Sequence, residues 1–155
     1  MNNSIDIKIK RITKNNYHKF DNMVYWRQTG CARTNEEKEL NAKKTFGDAY
    51  SELNHNDFYV FAAEYQNILI GWISLIYMPK VGKWNKGVLY VDELWTAPEF
   101  RRRQIAYKLM SKAIDIQKQT RAQSIRLYTH NIAAQKLYDK CGFKELGKAI
   151  FLEKE

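Results

Sequence analysis

The chain has 155 residues, 45% of them hydrophobic and 28% charged, and a net charge of +9: the length of one domain with a respectable core and the balance of a soluble globular protein. Its N-terminus, MNNSIDIKIKRITKNN, has no continuous apolar segment, which argues against a secretory signal, and no apolar run reaches membrane-span length, so the expected compartment is the cytoplasm. The two cysteines, Cys31 and Cys141, fit neither a metal spacing nor a disulfide framework, and both read as reduced thiols.

Residues 5–12, IDIKIKRI, alternate with period two and predict a first strand. Thr13 is placed to cap a helix over 14–28. Residues 35–53 predict a second helix, with Asn35 as its cap, acids in its first turn and a bend at Gly47. Residues 57–65 and 68–77 predict two strands joined by Gln66 and Asn67, a hairpin. A loop over 79–86 leads to a fourth strand, GVLYVDELWT (87–96), ended by Ala97 and Pro98. A helix over 102–120 and a fifth strand over 124–130 follow. Asn131 caps a helix ending near Cys141, with Gly142 as its left-handed stop. Residues 143–146 and 148–153 predict one or two final strands. The fold class expected is α/β: one domain over 1–155, with a mixed central sheet of six to seven strands flanked by about four helices.

The fourth strand and the helix after it enclose an electrostatic problem. Arg101, Arg102 and Arg103 crowd what the pattern marks as the start of a helix, where the dipole is positive and acids are the usual choice. First-turn N–H groups lack intrahelical partners, so together with the guanidinium groups they make an anion site suited to phosphate. Charge alone leaves a second reading open, in which the arginines spread into water and repulsion is screened. A glycine-rich GxxxxGK loop and a dinucleotide-binding glycine fingerprint are both absent from the sequence.

Two segments carry a resemblance. LWTAPEFRRRQIAYKLM is similar to the acetyl-CoA-binding motif of the GCN5-related N-acetyltransferases (GNAT), Arg/Gln-x-x-Gly-x-Gly/Ala, with Arg101 at its lead and Ala106 at its close. NIAAQKLYDKCGF resembles that family's Asn-x-x-Ala-x-x-x-Tyr-x-x-x-Gly-Phe segment, matched by Asn131, Ala134, Tyr138, Gly142 and Phe143. The two occur in the family's order over residues 87–143; upstream only the element order agrees. One position departs: Gln104 stands where the family has its first glycine. If Gln104 lies within the helix, its backbone needs no special dihedrals and its N–H remains available.

The resemblance implies the GNAT fold and direct acetyl transfer from acetyl-CoA, as cosubstrate, to a primary amine. It places pantetheine against Leu94, Trp95 and Thr96, and the diphosphate against Arg101, Arg102, Arg103, Gln104, Ile105 and Ala106. Asn131 would lie near the pantetheine arm, and Tyr138 near the sulfur, as the acid that protonates the departing thiolate. A backbone N–H on the fourth strand would steady the developing oxyanion. An amine with a lysine-like pKa of about 10.4 must first lose a proton. Asp92 and Glu93 are the candidates for that base and for binding the amine, with Asp92 favoured; the alternative is a cap or an ion pair with a nearby cation. Tyr25, Trp26 and Arg27 fall where the family's variable first helices line the acceptor site, although such aromatics are more often core or rim.

No metal is expected, since His18, His55 and His130 lack a ligand spacing. Nucleic acid is not an expected partner: the positive charge is scattered and no helix-turn-helix, zinc-finger or RNP pattern occurs. No membrane partner is expected. The acceptor reads as a small-molecule amine, with a protein N-terminus or lysine as the alternative, and with a coenzyme-A-binding sensor as a non-enzymatic reading. A homodimer is common in the family.

Overall fold

The structure, a computed structural model, describes residues 5–82 and 86–155. The elements run β1 (Lys8–Arg11), α1 (Tyr17–Thr29), α2 (Asn35–Ala42), α3 (Gly47–Leu53), β2 (Phe58–Tyr65), β3 (Ile68–Met78), β4 (Val88–Thr96), α4 (Ile105–Thr120), β5 (Ser124–Leu127) and α5 (Ile132–Lys140), with a 3-10 turn at Pro98–Phe100. The sheet follows chain order; β1 to β4 are antiparallel and β4 pairs with β5 in parallel. Of the expected loop over 79–86, residues 83–85 lie outside the described residues.

The sheet is mixed, as expected, but has five strands among the described residues rather than six to seven, and five helices rather than about four. Two local causes account for the difference. The region expected to form one helix over 35–53 is two. Thr34, not Asn35, caps the first of them, in a reciprocal box: its Oγ1 accepts from the Glu37 N–H at 3.2 Å while the Glu37 carboxylate accepts from the Thr34 N–H at 3.4 Å. That helix stops at Ala42, and Gly47 opens the next one. The second cause is the C-terminal segment. Residues 144–155 pair with no strand, and Leu146, Ile150, Phe151 and Leu152 are 84–90% exposed. The expected final strands over 143–146 and 148–153 do not form, because a strand exists only where a neighbour takes its backbone hydrogen bonds.

The expected Thr13 cap also moves. Helix α1 starts at Tyr17, and Asn16 folds back instead: its Oδ1 accepts from the Thr13 N–H at 2.7 Å and its Nδ2 donates to the Arg11 carbonyl at 3.0 Å. The hairpin forms as expected, because Gln66 and Asn67 both adopt positive φ (47° and 68°), the backbone twist that a two-residue hairpin turn requires.

Helix α4 buries Ile105, Leu109, Met110, Ala113 and Ile116 at three- and four-residue spacing against one sheet face, with Ile73, Leu75, Leu89 and Val91. Helix α1 seals the other face through Phe20 and Met23, against Val60, Ala62, Leu69 and Trp72. The two layers pack β3 and β4 between them. No helix among the described residues is long and apolar enough to cross a membrane.

Candidate acyl-transfer site

The strands create the cleft by parting. Strand β4 stays paired with β3 as far as Thr96, but with β5 only from Val88 to Val91. The edge of residues 92–96 that faces β5 therefore carries backbone groups with no strand partner. Leu94, Trp95 and Thr96, the expected pantetheine contacts, lie in this freed stretch. Gly71 makes the geometry possible on the β3 side. A Cβ there would sit 2.8 Å from the Trp95 carbonyl oxygen, so only glycine lets β3 approach this part of β4 so closely. Nothing but an isolated glycine in a strand pattern signals this position in the sequence.

Asp92 and Glu93 do not occupy equivalent places. The pairing with β3 slips between Ser74 and Leu75, leaving Asp92 as the extra residue of a β-bulge, opposite no partner. Asp92 is exposed and forms no hydrogen bond or ion pair among the described residues. Lost hydration first, and the neighbouring Glu93 charge second, raise its pKa above the ordinary aspartate value. Glu93 is engaged: its Oε2 accepts from Arg27 at 2.9 Å and from the Trp72 indole N–H at 3.2 Å. Its own N–H donates to the Ser74 hydroxyl at 3.0 Å. Trp72 and Ser74 thus support the site, and the sequence reading did not single them out.

The three residues expected at the acceptor side separate as well. Trp26 is buried and packs edge-on against Trp95, with ring centres 6.0 Å apart, so it backs the β4 wall from the core. Tyr25 lies under the Arg33 guanidinium at 4.4 Å from its ring centre. Arg27 is exposed and sits 5.2 Å from the Trp72 ring centre while paired to Glu93.

The arginine triplet does not sit in a first helical turn. Helix α4 begins at Ile105, three residues beyond the expected start, and Arg101, Arg102 and Arg103 form the turn ahead of it. Arg101 is extended and its Nε donates to the Thr96 carbonyl at 3.2 Å, tying the turn to the strand end. The Arg103 guanidinium lies 5.6 Å from the Phe100 ring centre. Arg102 and Gln104 both adopt left-handed backbone, φ 63° and 62°. Gln104 is therefore not in helical geometry, contrary to expectation, and it holds a conformation in which a side chain is strained by about 1–2 kcal/mol. That is a physical reason for glycine at this position. No side chain caps α4 and no acid occupies its first turn, so the N–H groups of Ile105 and Ala106 remain available to an anion. Gln104→Gly is expected to relieve the strain. Part of the gain is offset by glycine's greater freedom in the unfolded chain, leaving about 0.5–1 kcal/mol, or roughly 1–4 °C in Tm by thermal denaturation.

Asn131 caps α5, its Oδ1 accepting from the N–H groups of Ala133 at 3.0 Å and Ala134 at 3.4 Å. The other end of α5 closes in a Schellman motif around Gly142 at φ 86°. The Phe143 N–H reaches the Tyr138 carbonyl at 3.0 Å and the Gly142 N–H reaches the Asp139 carbonyl at 3.0 Å. Phe143 then packs edge-on against the Tyr138 ring, with ring centres 5.9 Å apart. The motif's own residues orient Tyr138, whose ring is half-buried against the main core. Burial first, and Cys141 second, push the phenol above the ordinary tyrosine pKa, so it is protonated at neutral pH. The Cys141 thiol is itself pushed up by burial, and Cys31 is exposed. Among the described residues no group of three or more His, Cys, Asp or Glu side chains is placed to hold a metal.

An unpaired strand edge, an anion-accepting turn and a protonated phenol are the parts an acyl-transfer site needs. The family model described as "Acetyltransferase (GNAT) family" matches residues 22–143. No curated protein matches by sequence. Among solved structures, an aminoglycoside acetyltransferase from an uncultured soil metagenomic sample superposes with a TM-score of 0.76 at 18% identity, covering 97% of this chain and 100% of that one. Glucosamine-6-phosphate N-acetyltransferase from Arabidopsis thaliana gives 0.73 at 16% identity, over 97% and 98%. The aminoglycoside acetyltransferase AAC(6')-Iy, bound to a bisubstrate analogue of coenzyme A and an acetylated neamine, gives 0.72 at 17%, over 97% and 99%. With most of its length matched by the family model, and with the fold of these enzymes, this chain belongs to the GNAT family of acetyltransferases.

Proposed function

We propose that residues 1–155 act as one catalytic domain that transfers the acetyl group of acetyl-CoA directly to the primary amine of a small molecule. The observation that carries this reading is the freed edge of β4 over 92–96, running into an α4 start that has neither cap nor acid. Leu94, Trp95 and Thr96 would hold the pantetheine arm, with Asn131 beside it, and residues 101–106 would hold the diphosphate. The coenzyme supplies an acetyl group activated as a thioester. Asp92 takes the proton from the amine, and the Tyr138 hydroxyl supplies the proton that leaves with the sulfur. Glu93 positions Arg27 and Trp72 at the cleft margin. The family match and the coenzyme A complex of a structural neighbour support this assignment.

Acetyl-CoA at a hundredfold excess over its Kd is expected to stabilise the folded chain by about 2.7 kcal/mol, which raises Tm by roughly 5–10 °C. Duplex DNA should give no shift. Release of thiol from acetyl-CoA in the presence of amines then separates an enzyme from a coenzyme-binding sensor. A protein that acetyl-CoA leaves unshifted would remove the reading.

We also propose a homodimer in which each copy covers the other's exposed segment over 146–152. Leu146, Ile150, Phe151 and Leu152 form a run of exposed large apolar side chains of the kind that marks an interaction surface. Strand β5, paired on one side only, offers the complementary backbone edge. Light scattering is expected to give twice the monomer mass, and Phe151→Asp with Leu152→Asp should return the monomer.

A further inference from the structure

The sheet face that carries Glu93 continues along β4 to a cluster without an assigned role. Trp95, Glu93 and Tyr90 pair with Trp72, Ser74 and Ile76 of β3, alternate residues that share one face; the bulge at Asp92 keeps Tyr90 on the same side as Glu93. On β5, Arg126 is the partner of Tyr90. The Tyr128 ring stacks over Tyr90, with ring centres 6.1 Å apart and planes 13° from parallel. From β3's end, the Lys80 ammonium lies 5.5 Å from the Tyr90 ring centre. Two cations and two phenols thus converge just before the point where β4 and β5 part.

Neither cation is spent on a carboxylate. Lys80 and Arg126 form no ion pair among the described residues. The Arg126 Nε is buried and has no hydrogen-bond partner among them. A buried guanidinium N–H without an acceptor is costly, and an arriving anion would relieve that cost. The surroundings of Tyr90 favour negative charge there: burial acts to raise its pKa, but Arg126, Tyr128 and Lys80 beside it outweigh burial and bring the phenol below its ordinary value, while Tyr128, facing Tyr90, is pushed up.

We infer that Arg126 and Lys80, with the hydroxyls of Tyr90 and Tyr128, form an acceptor subsite for an anionic group, so that the amine acetylated here also bears a carboxylate or a phosphate. This deepens the acetyltransferase reading and rests on it. Tyr90 precedes Asp92 by two residues, roughly 7 Å along a strand. The acceptor therefore carries its anion only a few bonds from its amine: the amine faces Asp92 while the anion meets the two cations. A polycationic acceptor would place like charges against Lys80 and Arg126 and is disfavoured.

Paired acceptors test this through thiol release from acetyl-CoA: 2-aminoethyl phosphate against ethanolamine, β-alanine against β-alaninamide, and spermine as a polycation. The anionic member of at least one pair is expected to have a kcat/KM at least tenfold higher than its uncharged twin. Which pair shows it identifies the anion as phosphate or carboxylate. Arg126→Gln and, independently, Lys80→Gln should abolish most of that preference through KM, with acetyl-CoA still raising Tm as in the parent. Lys80 is only partly buried, so its variant keeps the test open if Arg126→Gln folds poorly. Neutral twins or spermine turned over as well as the anionic amines, or an anionic preference unchanged in both variants, would overturn the subsite. An absent acetyl-CoA shift in the parent protein would instead overturn the acetyltransferase reading beneath it.

Discussion

Tyr138→Phe is expected to lower kcat about 10²–10³-fold at neutral pH, the usual scale for loss of a positioned proton donor, while acetyl-CoA continues to stabilise the protein. The substitution removes one oxygen and leaves the ring. The Schellman motif at Gly142 is made by backbone atoms, and the packing on Phe143 uses the ring, so the fold is retained. Burial raises the phenol's pKa, so the Tyr138 hydroxyl keeps its proton throughout the neutral range. Its alkaline limb should appear only above the ordinary tyrosine value of about 10. Steady-state thiol release across roughly pH 6 to pH 10, with Tm measured in parallel, reads the loss of kcat and should show no alkaline fall of the parent within that range. Full activity in the phenylalanine variant would assign the proton to another group.

Asp92→Asn is the second large effect: a loss of about 10²-fold in kcat/KM with no loss of stability. The sign of the stability term follows from the raised pKa. The folded state binds the Asp92 proton more tightly than the unfolded chain does. Below the unfolded value both states are protonated and Asp92 costs nothing. The cost grows as pH rises between the unfolded and folded values, and above the folded value it is present in full. Asparagine removes that cost, so Tm at neutral pH should be equal or higher. In the parent, the acidic limb of kcat/KM should sit above the ordinary aspartate pKa of about 3.9. Glu93→Gln is the contrasting variant. It breaks the ion pair with Arg27 and weakens the hold on Trp72, with an expected stability loss of about 0.5–1 kcal/mol for a half-exposed pair and an activity loss below that of Asp92→Asn. Rate profiles and thermal melts of the two variants together distinguish a proton acceptor from a strut. Equal activity losses with equal destabilisation would remove the distinction.

The residues that make the two acids unlike each other explain why the sequence left them so nearly alike. Adjacent acids on a strand face opposite sides by alternation alone. Which one is free depends on a slip in the β3–β4 pairing and on Arg27 and Trp72, which lie 66 and 21 residues from Glu93 along the chain. Trp26 follows the same logic. Its identity suited either a cleft or a core, and Trp95, on another element, takes it as core.

Gln104 shows the opposite limit. Its substitution for glycine was visible at once, but its consequence required φ. Placed inside a helix it would have been harmless; placed in the turn before α4 it is strained. The three arginines likewise looked misplaced because the periodic pattern began three residues before the helix does.

Local chemistry determined a good deal by itself. Local residue patterns located the hairpin, the central strands and the two long helices, and the Asn131 and Gly142 signals marked both ends of α5, because propensity, capping and turn conformation act over a few residues. The two motif segments carried the family. Tertiary structure alone decided how many strands the sheet has, which acid stays free, and what gathers around Tyr90. Strand pairing, desolvation and the meeting of Arg126 with Lys80 are set between residues distant along the chain, and a linear pattern contains no term for who pairs with whom.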